Sequence, residues 1–305
     1  MKTIGLKQKV KGYIDLIRPF TLLAPIIVST CIMIASFFYN KSGYELNSIW
    51  LTIIIPASFS LAILNSASNA LNQITDIKSD KISKPYRPIT RGDVTTFEAK
   101  IISIILYIIA FSLSILINYI FMVFVLLIIL FTVTYSITPR MKDILFFNQL
   151  WVGIPRGLLG ILASWSVFGS PIETLPLIIG IIATSFLIGG SITKDIIDIE
   201  ADKKNGTKTL VNIYGVRKAA LMALPFMVFP FTFIPILIDI GVLQSYLWWL
   251  TLLAIPSLLI SYLMIKNDKK TKVLENTSSW TLMYVTYFIF ASSFSILTIL
   301  GSVAG

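Results

Sequence analysis

Residues 101–117 read IISIILYIIAFSLSILI, with no charged residue and no alternation of polar and apolar positions. A membrane-barrel strand alternates over about ten residues. This run does not, and it approaches the length of about 20 apolar residues that a bilayer-spanning helix takes. Comparable runs lie at 19–39, 49–72, 97–117, 118–138, 147–168, 175–194, 217–238, 245–265 and 281–303. The expected fold is all-α and integral to the membrane, with nine transmembrane helices in one domain covering residues 1–305. Composition agrees: 56% of the residues are hydrophobic, 13% are charged and the mean hydropathy is +0.84, far to the apolar side of a soluble domain. The opening segment MKTIGLKQKVKGYIDLIRP is too long and too charged for a signal n-region, and no small-residue cleavage site follows a short apolar core. The run 19–39 therefore reads as an uncleaved first span.

Absent residue types narrow the chemistry. The sequence has no histidine, and its single cysteine, Cys31, falls inside the first span. That removes Ser-His and Cys-His nucleophile pairs, histidine-ligated haem, disulfide frameworks and thiolate metal clusters. A metal ion would be held by oxygen ligands, which points to Mg2+ or a similarly hard ion.

A net charge of +10 would suit nucleic acid, but its distribution argues otherwise. With the nine spans in place, every basic residue lies on one side of the bilayer except Lys41, in an opposite loop, and Lys100 and Arg156, within spans. The positive-inside rule then makes the N-terminus and the charged loops cytoplasmic and leaves the C-terminus outside. Most of these cations read as topology signals and lipid-headgroup contacts. Membrane lipids are expected partners and nucleic acid is not.

One charged loop stands out. Residues 72–92, NQITDIKSDKISKPYRPITRG, place Asn72, Asp76 and Asp80 at i, i+4 and i+8, which spans only about 80° of a helix circumference. A second cluster, in TKDIIDIEADKKNGTKTL at 193–210, sets Asp195, Asp198 and Asp202 within about 60° of one another and turns Glu200 away. DIKSDK at 76–81 and DIEADK at 198–203 also match in register. This reads as an internal repeat that brings two acidic faces together on one membrane side. A single DxxxD is usually an ordinary solvated helix end. Two of them, each closing an apolar helix in a chain with 15 acidic residues, read as a site. Clustered carboxylates repel unless a cation lies between them. Acids, a divalent cation and the nearby Lys84, Arg87 and Arg91 together suit a diphosphate.

These residues carry a family resemblance: over most of its length the chain resembles the UbiA superfamily of intramembrane prenyltransferases. The family pattern NxxxDxxxD appears as Asn72, Asp76 and Asp80, followed by KPYRPI at 84–89. The pattern DxxDxxxD appears as Asp195, Asp198 and Asp202, followed by GTKTL and YGVRKA, and YSITPRMK at 135–142 is similar to the family's tyrosine and basic residue after the fourth helix. The resemblance implies helices around a central cavity open to lipid and capped by cytoplasmic loops. It also implies two Mg2+ ions bridging the motifs to an isoprenyl diphosphate donor. The lipophilic acceptor would be a prenylated glycerol phosphate or an aromatic quinone precursor. Carried over residue by residue, Asn72, Asp76, Asp80, Asp198 and Asp202 are the metal candidates. Arg87, Lys142 and Tyr135 are the catalytic candidates at the diphosphate, and Lys84, Arg91 and Lys208 are substrate-binding candidates. Asp195 is expected to orient the acceptor or accept its proton rather than bind metal. Aromatic residues in TLMYVTYFIF at 281–290 have two readings: they line the tail channel, their ring faces stabilising positive charge, or they face lipid and the membrane interface.

Arg156, in WVGIPRGLLGILASW at 151–165, is a further substrate-binding candidate, because an ionisable residue within a span is functional by default. Two readings stay open: it pairs an acidic group of the acceptor, or it snorkels or pairs with an acid on a neighbouring helix. The glycines of GIPRG and Gly189–Gly190 would permit close helix approach or a helix break. The stretch 73–96 is long for a bare connection and should form an ordered cap, with a short helix near 93–97. A cation-coupled secondary transporter is the competing class. It needs ionisable groups near the bilayer midplane, whereas these acids sit at helix ends.

Overall fold

The computed structural model describes residues 5–266 and 277–304, so Lys269, Lys270 and Lys272 of the last basic loop lie outside the described residues. Helix α1 (Leu6–Ile17) leads through a 3-10 turn at Pro19–Leu22 into α2 (Leu23–Tyr39). The one-turn α3 (Leu46–Ile49) runs through a π turn into α4 (Ile55–Thr75), and two short helices follow, α5 (Ile77–Ser83) and α6 (Pro88–Arg91). The stretch 73–96 is ordered and carries these two short helices, with the helical turns earlier than the segment expected near 93–97. Pro85 and Pro88, which disfavour helix in the residues before them, separate the turns.

Helix α7 (Thr96–Ile117) starts at a capping box: the Thr95 hydroxyl accepts the Glu98 N–H at 3.2 Å, and the Glu98 carboxylate accepts the Thr95 N–H at 2.8 Å. Asn118 caps α8 (Tyr119–Ser136) by accepting the Phe121 N–H at 2.7 Å. Each cap satisfies amides that the first helical turn leaves without partners. Helix α9 (Phe147–Ile154) continues through a π turn at Pro155–Leu159 into α10 (Gly160–Trp165). Pro155 has no N–H to donate, and the ladder widens where that bond is missing. Helix α11 (Thr174–Gly190) passes through a 3-10 turn into α12 (Asp195–Asn205), which ends at Gly206 with φ +74°. The chain closes with α13 (Leu210–Thr232), the short α14 (Ile234–Asp239), a 3-10 segment, α15 (Ala254–Ile265) and α16 (Ser278–Ala304).

Neighbour packing runs α2 to α4, α7, α8, α10, α11, α13, α15, α16 and back to α2, so the helices close a ring. Among the described residues eight helices are long and apolar enough to cross a membrane. The protein is an integral, multi-pass membrane protein. The α9–α10 run expected as a further span carries Asn148, Gln149 and Arg156 and falls outside that set. Outward-facing side chains such as Ile108, Leu116, Tyr119 and Ile255 are exposed, as a lipid-facing belt requires. Small residues set the closest approaches. A Cβ on Gly157 would lie 2.4 Å from the Thr184 hydroxyl, and one on Gly153 would lie 2.6 Å from Ile188, so α9 and its π turn lie directly on α11. This is the close backbone approach that small residues permit between membrane helices.

Candidate active site

A cavity of about 1120 Å³ opens inside the ring, above the usual range of ligand pockets. Asn72, Asp76, Asp80, Asp195, Asp198 and Asp202 all line it. The two acidic segments converge because α5 packs against α12. The Asn72–Asp80 segment is not one smooth helix, however. Asp76 sits at the junction with φ −105° and ψ 12°, and Asp80 belongs to α5.

Every acid of the first motif meets a cation. The Lys142 ammonium donates to Asn72 Oδ1 at 2.7 Å and to Asp76 Oδ1, and Arg140 also reaches Asp76 Oδ1 at 2.9 Å. Arg87 donates to both oxygens of Asp80 at 2.8 and 2.6 Å, and both side chains are buried. Lys84 bridges the motifs, with its ammonium 2.6 and 2.5 Å from the two oxygens of Asp198. Burial lowers the Lys142 pKa to about 8 against the pull of Asp76. Burial likewise lowers Lys84 against Asp198 and raises the Asp80 carboxyl against Arg87. In each case the charged form loses hydration.

The inner wall is a hydrogen-bonded network. The Tyr135 hydroxyl donates to Asn148 Oδ1 at 3.0 Å and accepts from Lys194 at 2.7 Å. The same ring faces two ammonium groups, Lys142 at 5.7 Å and Lys194 at 5.3 Å from its centroid. Asp195 is buried and accepts from Asn148 at 3.2 Å and Gln149 at 3.3 Å, with Lys194 3.5 Å away. Asp202, also buried, has the Thr209 hydroxyl 3.5 Å from its carboxylate.

The residues expected at the diphosphate divide. Lys84, Arg87, Lys142 and Tyr135 line the cavity; Arg91 and Lys208 do not. Arg91 pairs with Asp15 at 2.8 Å and with Asp93, which ties the cap to α1, and Lys208 is exposed. Arg156 lines the cavity and donates to the Tyr284 hydroxyl at 2.9 Å. Of the aromatic run 281–290, Tyr284 and Tyr287 line the cavity, whereas Phe290 is buried in the core. Sequence reasoning passed over Asn65, Asn69, Asn148, Arg140 and Lys194, all of which also line the cavity. A signal for the first two was present: Asn65, Asn69 and Asn72 recur at helical spacing in α4, continued by Asp76 just past its end, a polar stripe on an otherwise apolar span.

The oxygen donors suit a hard divalent ion. Among the described residues no three acidic side chains come close enough together to hold one. Yet Asn72 Oδ1 and Asp76 Oδ1 already converge on a single cation, the Lys142 ammonium. The donor set therefore fits a cation, with lysine charges standing where metal charge would be expected.

The chain matches known proteins in sequence and in fold. The model of the UbiA prenyltransferase family matches residues 22–286. Digeranylgeranylglyceryl phosphate synthases are similar in sequence. The one from Methanosphaera stadtmanae is 31% identical over 69% of this chain and 72% of its own length. The one from Saccharolobus solfataricus is 29% identical over 83% and 86%. In fold, the chain is similar to a UbiA homolog from Archaeoglobus fulgidus solved with GPP and Mg2+, with a TM-score of 0.68, 17% identity and coverage of 96% of this chain and 100% of that one.

Proposed function

The chain belongs to the UbiA prenyltransferase family, and from that premise we propose that it transfers a prenyl group from a prenyl diphosphate to a lipophilic acceptor in a Mg2+-dependent reaction. The observation that carries this reading is the meeting of both acidic segments in one cavity, bridged by Lys84 on Asp198. We assign Asn72, Asp76, Asp198 and Asp202 to two Mg2+ ions. Bound there, Mg2+ would neutralise the charge that grows on the departing diphosphate. Asp80 has both oxygens on Arg87, and its role here is to hold that guanidinium toward the cavity.

The protein's own cations do the rest. Lys84 and Lys142 line the cavity beside the acids, so each can turn from carboxylate to diphosphate when metal takes the acid. Tyr135, with ammonium groups off its ring, fixes the inner side of the anion site. Departure of the diphosphate leaves an allylic cation that must be kept from water until the acceptor attacks. Tyr284 and Tyr287, which line the cavity, offer ring faces to that cation. Asp195, held by two amide side chains, is placed to orient the acceptor or take its proton.

The orientation read from the basic loops belongs to the same proposal: nine crossings, α9–α10 included, with the N-terminus and the motif loops cytoplasmic and the C-terminus outside. A transporter would place its ionisable groups at the midplane, and here they gather at the motif helix ends. The test is purified protein with Mg2+, a labelled prenyl diphosphate and a panel of acceptors. Acceptor-dependent release of diphosphate with equimolar prenylated product supports the reading. Its absence with every acceptor, in protein that binds the donor, rejects it.

A further inference from the structure

Arg156 has a setting that the diphosphate site does not explain. It lies eight residues after Asn148 on one continuous helical run, so its backbone is roughly 12 Å farther along the helix than the Asp195 network. It sits in the π turn at Pro155–Leu159, which two features hold in place. The Leu158 N–H donates to the Thr184 hydroxyl at 2.7 Å, and Gly157 lies so close to Thr184 that a side chain would not fit. The Tyr287 hydroxyl donates to the Arg156 carbonyl at 2.8 Å. The backbone is thus fixed from two helices.

The guanidinium itself lines the cavity and is exposed to it. Among the described residues its recorded side-chain partner is the neutral Tyr284 hydroxyl at 2.9 Å, and it forms no ion pair. Elsewhere around the cavity Lys84, Arg87, Arg140 and Lys142 each have a carboxylate. A cation at membrane depth is costly without a counter-charge. Arginine also supplies planar paired donors suited to phosphate and carboxylate oxygens.

Resting on the prenyltransferase reading, we propose that Arg156, with the Tyr284 hydroxyl beside it, is a specificity site for the acceptor: it binds an anionic headgroup, phosphate or carboxylate, on the lipophilic acceptor. The acceptor is thereby an acidic amphiphile rather than a neutral phenol or alcohol. The diphosphate of the donor stays with Lys84, Arg87 and Lys142 at the motif helices, and the acceptor's charge is held separately, deeper along α9–α10.

The test uses the full-length protein in detergent and two probes that differ by one phosphate group, a prenylated glycerol phosphate and the corresponding neutral prenylglycerol, with a hydroxybenzoate as the carboxylate probe. Wild-type protein is expected to bind an anionic probe more tightly than the neutral one in equilibrium binding without donor. Arg156→Met is expected to cut that preference at least tenfold, Arg156→Lys to restore part of it, and Tyr284→Phe, which removes only a hydroxyl, to cut it two- to fivefold. In turnover the Arg156→Met loss should fall on acceptor KM rather than on kcat or donor KM. Whichever anionic probe shows the Arg156-dependent preference identifies the headgroup.

Equal losses for charged and neutral probes, or a loss centred on donor KM, would overturn the assignment. An Arg156-dependent binding preference in protein that transfers no prenyl group would sink the transferase reading while leaving the anion site standing.

Discussion

Arg87 and Asp80 illustrate why a residue's chemistry and its contribution to folding must be measured separately. The pair is buried, with side chains 7% and 4% exposed and two hydrogen bonds between them. Removing one partner of such a pair leaves a desolvated charge and costs about 3–5 kcal/mol. Arg87→Ala is therefore expected to lower stability by that amount in detergent unfolding as well as to reduce turnover. The double variant with Asp80→Ala should recover part of the stability and none of the turnover. Asp195 is held differently: the Asn148 and Gln149 amides donate to it, and Lys194 lies 3.5 Å away. Asp195→Asn is expected to retain prenyl diphosphate binding while turnover falls about 100-fold, the scale of a lost general base. Binding lost to the same degree as in Asp198→Asn would count against that division of roles. The acids of both motifs were legible because charge is rare in this chain and their spacing is helical. The pairing of Arg91 with Asp15, 76 residues away, was not legible, because proximity in sequence to Lys84 and Arg87 says nothing of it. Lys194 went unassigned because a lone lysine at a span's end looks like a topology signal until Tyr135 is seen beside it.

At the scale of elements, the π turn at Pro155–Leu159 and the α5–α12 contact place the site. Thr184 supplies the Leu158 N–H with its acceptor. Thr184→Val leaves that amide unsatisfied, an expected loss of about 1–3 kcal/mol. Gly157→Ala must push a methyl into Thr184, and overpacking of that kind costs about 1–3 kcal/mol. Both are read as a drop in thermal midpoint, and an unchanged midpoint in Gly157→Ala would mean that α9 and α11 do not pack this closely. The glycines of GIPRG announced a close approach or a helix break, and the structure has the close approach, with a π turn in a run that stays helical. The break at Asp76 was not legible, since nothing in NQITDIKSD lacks helix-forming capacity. Tertiary pairing of Asp76 with Lys142 and Arg140 fixes that junction, and such partners are invisible to local periodicity.

For the molecule as a whole, apolar runs announced a helical membrane bundle, and the ring from α2 round to α16 is what those runs build. The α9–α10 run is the exception in composition because it carries the polar residues of the cavity wall, so function blurs the signal of a span. Its crossing is testable in a Cys31→Ser background. Lys204→Cys should react with an impermeant thiol reagent from the cytoplasmic side, Gly43→Cys from the outside, and a C-terminal tag should be accessible only from the outside. A tag on the cytoplasmic side would remove one crossing. Central to the whole account is joint binding of divalent metal by two distant stretches of the chain. The most direct measurement is anomalous scattering from crystals grown with Mn2+ and an unreactive prenyl thiolodiphosphate. The expected result is metal bound by carboxylate oxygens of both Asp76 and Asp198, with the diphosphate between them. Metal held by one motif alone, or by neither with the diphosphate bound elsewhere, would contradict it.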